Sequence, residues 1–353
     1  YPLRGHAPLI TVTPGGGAKM QEERIIMAHG SGGRISHQLV KEIFQKVFDN
    51  RWLEQMGDAA VLPAEADRLA VTTDSFVVSP LVFRGGDIGK LAVCGTVNDL
   101  AVSGAVPKYL TAGFIIEEGF SIKELAKITS SMADTARAAG VYLVAGDTKV
   151  VERGSADKLF INTTGVGFMP KGRDVNPGQI KPGDKIIISG TLGDHGIAIM
   201  SEREGLSFSS PVSSDCAPLN KFIESFFLPG VKCMRDPTRG GLATTLNELA
   251  AQAGAGMVIE EERVPVLPAV GGACRMLGLD PLYLANEGKA LVIVDPQVEN
   301  QVLDRMHKHP LGEKARIIGE VLSGDPGLVL LETVLGARRI LGMLEGEHLP
   351  RIC

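Results

Sequence analysis

Five aspartates, each beside glycine or another small residue, are the side chains best suited to chemistry. Each could be a simple turn former, but five such positions favour a shared task. Carboxylate oxygens are hard ligands that Mg²⁺ accepts while it also holds nucleotide phosphates. The pattern therefore predicts a metal–triphosphate site, although it does not name the reaction. The five are Asp58, Asp74, Asp99, Asp147 and Asp236.

A second reactive group is the thiol of Cys353, which follows Pro350-Arg351-Ile352. The segment 342–353 shows no strand or helix period and could span roughly 40 Å when extended. This favours an enzyme that carries its reacting group on its own arm, although an accidental thiol on a disordered terminus is the alternative. Arg351 is expected to be solvated rather than to steady the tail against an acidic cleft.

The segment His29-Gly30-Ser31-Gly32-Gly33 is a glycine-rich loop before a helix. Such a loop presents backbone N–H groups to phosphate. It lacks the Gly-Lys-Ser/Thr ending of a P-loop and the spacing of a dinucleotide fingerprint, so a flexible linker is an equal alternative.

Composition narrows the class of protein. The 353 residues, 44% of them hydrophobic, suggest two domains with real cores. The net charge of −5 without a basic block disfavours a nucleic-acid partner. No apolar run approaches the ~20 residues of a membrane span. Five cysteines without a Cys-x-x-Cys pair argue against a disulfide framework and a structural zinc site, and favour a reducing cytoplasm. We expect Cys94 and Cys274 to be core residues.

Helical and extended patterns alternate along the chain. A helix is predicted from Asp87 to Gly104, with Asp87 as its cap and the polar pair Asn98-Asp99 in its apolar middle. Such a pair is costly to bury unpaired, so it is either functional or a hydrogen-bonded core pair. A second helix opens with the capping box of Ser121 and Glu124 and ends at Gly140.

The remaining pattern indicates a mixed α/β (α+β) chain of two domains. A third helix is predicted over 242–252. We predict a disordered leader over 1–25, an N-terminal domain over 26–168, a linker over 169–184, a C-terminal domain over 185–341 and a flexible tail over 342–353. Strands are predicted at 69–73, 141–144, 159–164, 185–189, 256–260, 290–294 and 328–331.

Eight segments together resemble the HypE family of hydrogenase maturation factors. The family is part of the superfamily of aminoimidazole ribonucleotide synthetase, selenophosphate synthetase and thiamine monophosphate kinase. The resemblance runs from about Ile26 to Cys353. The segments are HGSGG (29–33), TTD (72–74), GGDIGKLAVCGTVNDLAVSGA (85–105), GDTKVVERG (146–154), LGDHG (192–196), RDPTRGG (235–241), ANEGK (285–289) and PRIC (350–353).

The resemblance implies a synthetase-like fold in which the N-terminal domain pairs across a homodimer and ATP lies in the cleft between domains. It assigns ATP and Mg²⁺ as cofactors. The metal is expected on Asp58, Asp74, Asp99, Asp147 and Asp236. The nucleotide is expected on these aspartates and on Gly30, Ser31, Gly32, Gly33, Asn98 and Thr148.

The resemblance also implies a reaction. Cys353 receives a carbamoyl group from a HypF-type carbamoyltransferase, ATP-dependent dehydration converts it to a thiocyanate, and the cyano group passes to iron on a HypC–HypD complex. Lys149 and Glu287 are the expected bases. For Lys149 a phosphate ligand or a surface charge is the alternative, and for Glu287 a loop salt bridge.

Two other functions stay open on the residues alone. A small-molecule ATP-dependent kinase or synthetase of the same superfamily explains the aspartates but leaves Cys353 idle. A non-enzymatic scaffold whose thiol docks a metal centre or a partner explains the thiol and predicts no ATP turnover.

Overall fold

The computed structural model describes residues 24–30, 34–53, 62–205, 212–344 and 351–352. Its first half carries a four-stranded sheet and two long helices. The elements of this half, in chain order, are a 3₁₀ turn Met27–Gly30, α1 (Arg34–Leu39), a π-helix Val40–Gln45, α2 (Lys46–Phe48), β1 (Leu69–Phe76), β2 (Val82–Phe83), β3 (Gly86–Asp87), α3 (Ile88–Val102), β4 (Val106–Glu117), α4 (Ile122–Ala139), β5 (Tyr142–Val151) and β6 (Leu159–Phe168).

The first sheet has the order β1-β6-β4-β5, antiparallel except for the β4–β5 pair. Side chains alternate between two faces along a strand. One face packs on α3 and α4 and forms the core of this half. The opposite, outer face is partly covered by Trp52, Leu62 and Ala66, but it retains exposed apolar residues such as Val71 and Ile115. The two faces therefore offer different environments to residues of the same strand.

Helix α3 forms as its sequence predicts. Asp87 is its N-cap, and its carboxylate accepts from the Lys90 N–H at 2.9 Å. The helix is buried on nearly every side, so its interior accepts few polar residues. At α4, Ser121 accepts from the Glu124 N–H and Gly140 closes the helix in the left-handed region. Both predicted helices are confirmed.

The second half is built on a seven-stranded sheet of order β13-β12-β9-β11-β7-β10-β8, antiparallel except for β12–β9. Cys274 is buried here, and Cys94 is buried in the first half, so both are core residues as expected. The elements are β7 (Lys185–Ile188), α5 (Asp194–Glu204), α6 (Asn220–Phe226), β8 (Val231–Arg235), α7 (Gly241–Ala253), β9 (Gly256–Glu260), α8 (Pro268–Leu277), β10 (Leu291–Val294), α9 (Glu299–His307), β11 (Arg316–Leu322), β12 (Val329–Glu332) and β13 (Arg338–Ile340).

Asn98, in the middle of α3, forms hydrogen bonds that join the two halves of the chain. Its amide nitrogen donates to the Ala217 carbonyl at 3.1 Å and to the Glu287 carbonyl at 3.2 Å. Its amide oxygen accepts from the Leu219 N–H at 2.7 Å. A buried amide with both donor hydrogens and its oxygen in use stabilises the contact it spans. The helix that carries Asp99 is thereby held against the loops of the second half.

In the described part of the chain, no helix combines the length and the apolar character needed to cross a membrane.

Candidate active site

Three of the predicted aspartates meet where the two halves join. Asp74 lies on β1 and accepts from the Thr96 hydroxyl at 3.0 Å. Asp99 lies on α3 and accepts from the Thr72 hydroxyl at 2.9 Å. Asp236 follows β8 and comes from the second half. Strand β1 and helix α3 pack against each other, so residues far apart in sequence present carboxylates to one region.

Burial raises the pKa of all three carboxylates, and neighbouring carboxylate charges add to the shift at Asp99 and Asp236. Burial, followed by the charge of Asp74, raises the pKa of Asp99 to about 6. Burial, followed by the charge of Asp99, raises the pKa of Asp236 to about 7. Burial also raises the pKa of Asp74, with the Thr96 hydrogen bond opposing it. Neighbouring carboxylates that disfavour one another's charge are a setting in which a cation is favourable.

The donor set fits Mg²⁺ bound together with phosphates. Among the described residues, no three His, Cys, Asp or Glu side chains close into a metal cage. Mg²⁺ is commonly held by one or two carboxylates, with waters and substrate phosphates completing the shell. Asp74, Asp99 and Asp236 supply hard oxygen donors of that kind. The site therefore suits an ion that arrives with a nucleotide better than a permanently caged one.

A cleft of about 430 Å³ opens beside Asp99. It runs between β1 and the end of β8, with Thr72 on one wall and Arg235 on the other. A carboxylate, a hydroxyl and a guanidinium therefore line one space between the two halves. These groups suit a phosphate-bearing ligand with its counterion.

Glu287 is a deeply buried acid near this region. Its side chain is 2% exposed, and its Oε1 atom has no hydrogen-bond partner among the described residues. Burial, followed by the charges of Cys216 and Asp236, raises its pKa well above the usual range. A strongly perturbed acid in a polar site is a candidate for proton transfer. A loop salt bridge, the alternative for this residue, is not formed by it in the described structure.

The carboxylate of Asp215 binds the backbone of the Glu287 loop. The Asp215 carboxylate accepts from the Glu287 N–H at 3.1 Å and from the Gly288 N–H at 3.2 Å. A Cβ atom at Gly288 would lie 1.9 Å from the Asp215 carbonyl oxygen, so only glycine fits here. The side chain of Lys289 lies between Asp194 and Asp215, 3.6 Å from each.

Asp147, Thr148 and Lys149 lie on β5, away from the acidic cluster of Asp74, Asp99 and Asp236. Asp147 is in register with Gly113, Asn162 and Ser75 on the outer face of the first sheet, at the edge strand β5. Its carboxylate is 3.1 Å from the Lys149 ammonium, and both side chains are exposed. Asp74 is on the opposite face, three strand spacings or roughly 14 Å away. Within one chain, these residues are not brought to the acidic cluster.

Several predicted site residues lie outside the described residues: Ser31, Gly32, Gly33, Asp58 and Cys353. Gly30 is described and packs on β5, where an added Cβ would be 2.6 Å from the Val150 nitrogen. Asn98 is present near the cluster, but its amide is used within the protein.

Residues 351 and 352 are held by the body of the protein. The Arg351 side chain donates to the Val77 carbonyl at 3.0 Å and pairs with Asp157 at 2.5 Å. The expectation that Arg351 is solvated is therefore wrong. Ile352 is buried, and its carbonyl accepts from Nε2 of His195 at 2.8 Å.

Sequence reasoning gave no role to Asp157, His195, Arg203 or Asp215. His195 belongs to the quoted LGDHG segment, which was the one available signal. The other three occur in no motif that carries chemistry, and only the fold brings Asp157 and Arg203 to the tail and Asp215 to the Glu287 loop.

Comparisons with known proteins agree with this architecture. The family described as "AIR synthase related protein, N-terminal domain" matches residues 56–169. Its C-terminal counterpart matches residues 181–330. Together the two matches cover more than half of the chain. The carbamoyl dehydratase HypE of Cupriavidus necator is 52% identical over 334 residues, which cover 94% of this chain and 95% of that protein.

Solved structures of HypE proteins are similar to this chain over most of its length. A structure of the hydrogenase maturation protein HypE in complex with ATP is similar with a TM-score of 0.90 and 48% identity, covering 93% of this chain and 99% of that one. A HypE–HypF complex contains a chain similar with a TM-score of 0.77 and 50% identity, covering 87% of this chain and 99% of that one.

Proposed function

This chain belongs to the HypE family of carbamoyl dehydratases, built from the two AIR synthase-related domains, and from that premise we propose its reaction. It dehydrates a carbamoyl group carried on Cys353 to a thiocyanate, with ATP converted to ADP and phosphate. The cyano group is destined for the iron centre of NiFe hydrogenase. Similarity to the ATP-bound HypE structure supports the use of ATP.

One observation carries the proposal: the tail and the Glu287 loop are joined by a short network. The Ile352 carbonyl binds His195, and the other ring nitrogen of His195 is 2.8 Å from the Ser214 hydroxyl. The next residue, Asp215, holds the backbone of Glu287. Because Cys353 is bonded to Ile352, this network supports a reaction of Cys353 near Glu287.

The acidic cluster would bind the nucleotide. Asp74, Asp99 and Asp236 are proposed to hold Mg²⁺ with the phosphates, with Asp58 completing this set. Gly30 packs on β5, far from Asp74, so we propose that the loop of residues 30–33 reaches the nucleotide from a second copy of the chain. Bound Mg²⁺ would neutralise charge on the transferring phosphoryl group. The positive charge of Mg²⁺ would also offset the repulsion among these carboxylates and so favour their ionised form.

Dehydration then needs a better leaving group than an amide oxygen. The oxygen of the S-carbamoyl group forms a bond to the γ-phosphorus of ATP, and the bond from that phosphorus to ADP breaks. The carbon–oxygen bond of the resulting imidate phosphate breaks next, so the oxygen leaves as part of phosphate. Nitrogen supplies the electron pairs that complete the C≡N triple bond and loses both protons to bases.

Glu287 and Lys149 are the proposed bases. Glu287 is buried on the loop that Asp215 holds, and it is proposed to accept one proton from the carbamoyl nitrogen. Lys149 lies on the outer face of the first sheet and cannot reach the same site within one chain. We therefore assign Lys149 to the site of a second copy in a homodimer.

A HypF-type carbamoyltransferase is the proposed source of the carbamoyl group, since HypF is the partner in a complex of a similar chain. A HypC–HypD complex carrying iron is the proposed acceptor of the cyano group. The four cysteines described as free, Cys94, Cys216, Cys233 and Cys274, suit the reducing cytoplasm in which we place the protein.

Intact mass spectrometry tests the proposal. Protein carbamoylated by its transferase should lose ~18 Da on addition of MgATP, as one water departs by phosphoryl activation. Cys353→Ala protein should neither gain the carbamoyl mass nor lose water. Carbamoylation with no later mass loss under MgATP would refute dehydratase activity.

A further inference from the structure

Lys289 lies two residues beyond Glu287 on the same loop, and its side chain is largely buried. Its ammonium group is 3.6 Å from Oδ2 of Asp194 and 3.6 Å from Oδ2 of Asp215. The exposed fraction of the side chain is 13% for Lys289, 7% for Asp194 and 2% for Asp215. A lysine is seldom buried to this extent unless its charge is paired. The proposed reaction gives no task to this cation.

The position of the Lys289 side chain is fixed by its neighbours. The next residue, Ala290, donates its N–H to the Ser189 hydroxyl at 2.9 Å, and its carbonyl accepts from the Ser189 N–H at 3.0 Å. A Cβ atom added to Gly190 would lie 3.3 Å from Cδ and 3.5 Å from Nζ of Lys289, so the lysine side chain runs along the Gly190 backbone. Lys289 therefore reaches its two carboxylates from a defined place.

The two carboxylates that share Lys289 have different partners. Asp194, in the first turn of α5, accepts from the Thr191 hydroxyl at 2.5 Å. Asp215 uses both of its oxygens for backbone N–H groups, one from Glu287 and one from the residue after it. Within the described ranges, Lys289 is the only cation that forms an ion pair with Asp215. Lys289 therefore supplies the counter-charge of the carboxylate that binds the backbone of the Glu287 loop.

Loss of this counter-charge would disturb the Glu287 loop. Removal of one partner from a buried ion pair is strongly destabilising, because the other charge is left buried without compensation. A displaced Asp215 would no longer accept from both N–H groups of the loop. The side chain that is proposed to take a proton from the carbamoyl nitrogen would then be held less well.

We propose that Lys289 is a positioning residue for dehydration, which acts through Asp215 to hold the Glu287 loop in place. The inference rests on the proposed function for its effect on the rate, whereas the ion pair and the loop hydrogen bonds form without any reaction. Asp194 is the second anchor, which keeps the ammonium group from turning away. Lys289 itself transfers no proton.

Hydrogen exchange of the full-length protein, resolved to single amides by mass spectrometry, tests the loop without any need for activity. The backbone N–H groups of Glu287 and Gly288 both donate to Asp215. In Lys289→Met these two amides should exchange about tenfold faster, because their hydrogen bonds open more often.

Lys232→Met is the matched control. Lys232 is 14% exposed, and its ammonium group is 2.6 Å from Asp184 and 3.5 Å from Asp295. It matches Lys289 in burial and in having two carboxylates, but in the described structure neither carboxylate binds the Glu287 loop. Both variants should lower the midpoint of urea unfolding, whereas only Lys289→Met should speed exchange at residues 287 and 288.

Single-turnover dehydration of carbamoylated protein tests the effect on the reaction. Lys289→Met should slow water loss about tenfold and keep wild-type ATP affinity, because Lys289 is not part of the proposed nucleotide site. Lys289→Arg keeps the charge and should bring the rate to within about threefold of wild type. A role in packing alone would not predict this recovery. Lys232→Met should keep the wild-type rate.

A double variant shows whether Lys289 acts through Asp215. Asp215→Asn leaves one accepting oxygen where the carboxylate has two, so dehydration should slow about tenfold or more. If the two residues act together, adding Lys289→Met should slow the reaction by less than about twofold beyond this. Independent effects would multiply instead, and a double variant about 100-fold slower than wild type would overturn the route through Asp215.

The measurements separate the possible failures. Wild-type exchange at residues 287 and 288 in folded Lys289→Met protein, or a wild-type rate of water loss, would overturn the positioning role. Faster exchange combined with no water loss in the wild type would keep the loop contact and refute the proposed reaction. If Lys289→Met fails to fold, Gly190→Ala replaces it, because the added methyl group crowds the ammonium group without removing a charge. Exchange should then be about threefold faster, and an unchanged rate would overturn the proposal.

Discussion

Acidic residues in this protein lie in very different environments. Asp147 is exposed beside Lys149, whereas Glu287 is buried and one of its carboxylate oxygens has no hydrogen-bond partner in the described part of the chain. A carboxyl in an apolar, anionic surrounding holds its proton more tightly and becomes a better base near neutral pH. Burial therefore equips Glu287 for proton transfer in a way that its residue type alone does not.

The single-turnover rate of dehydration should rise with pH through the pKa of Glu287. A base must be deprotonated to act, and the raised pKa of Glu287 places this limb clearly above the ordinary value of 4.5. Glu287→Gln should lower the rate about 100-fold or more and remove the limb. Rates of carbamoylated protein measured by quenched-flow mass spectrometry across pH give both results.

The exposed Glu202→Gln on α5 is the control and should keep the wild-type profile. An unchanged acid limb in Glu287→Gln would mean that another group titrates, and Glu287 would not be the base.

At the scale of elements, local signals were sufficient for α3, α4 and α7, whereas α5, α6, α8 and α9 were not predicted. The Asp87 cap, the Ser121 capping box and the Gly140 ending were predicted and are confirmed, because each depends on neighbours within a few residues. The predicted strands also appear, some longer than expected. Strand β4 was not predicted, although it is the central partner of both β5 and β6.

The placement of the aspartates could not be predicted in the same way. Asp74 and Asp147 both end up on strands of one sheet, so their sequence settings look alike. Strand order and register decide that they lie on opposite faces, and both are products of long-range pairing. Periodicity within a strand gives alternation, but it does not say which face meets α3.

Asn98→Ala should destabilise the protein by about 3 kcal/mol, because it leaves buried partners of three hydrogen bonds unsatisfied. Helix α3 would lose its attachment to the Ala217 and Glu287 loops, so ATP affinity should fall as well. Urea unfolding and nucleotide titration measure the two effects. Asn247→Ala is the matched control, since that amide also donates to two carbonyls but lies on α7 away from the cluster.

The control should lose some stability and keep wild-type ATP affinity. Full ATP affinity in Asn98→Ala would show that α3 does not need this attachment to place Asp99.

At the scale of the whole molecule, the tail site depends on contacts that no local pattern contains. His195 and Ile352 are 157 residues apart in sequence, and Val77 and Arg351 are 274 apart. Composition and motif predicted that a tail thiol should enter a site. The contacts that hold residues 351 and 352 form only when the two halves of the chain fold together.

Exposed apolar residues on the outer face of the first sheet favour the predicted homodimer. Val71 is 59% exposed and Ile115 is 43% exposed on that face, which also carries Lys149. Exposed apolar residues on one continuous face mark an interaction surface. In a two-fold dimer the same face of both copies is used, so each Lys149 is carried toward its partner.

Mixed dimers should reveal whether Lys149 acts across that interface. Lys149→Ala and Glu287→Gln proteins should each be inactive, but a dimer of one with the other contains one site with both bases intact. Random exchange of subunits should then restore roughly a quarter of wild-type dehydration.

Val71→Asp in both chains should abolish the recovery and shift sedimentation toward monomer, because a charge replaces an apolar contact. The same change at Val82, 62% exposed and outside the sheet, should leave both readouts intact. Inactive mixtures that nevertheless sediment as dimers would place Lys149 outside the reaction, since within one chain the sheet already separates it from the acidic cluster.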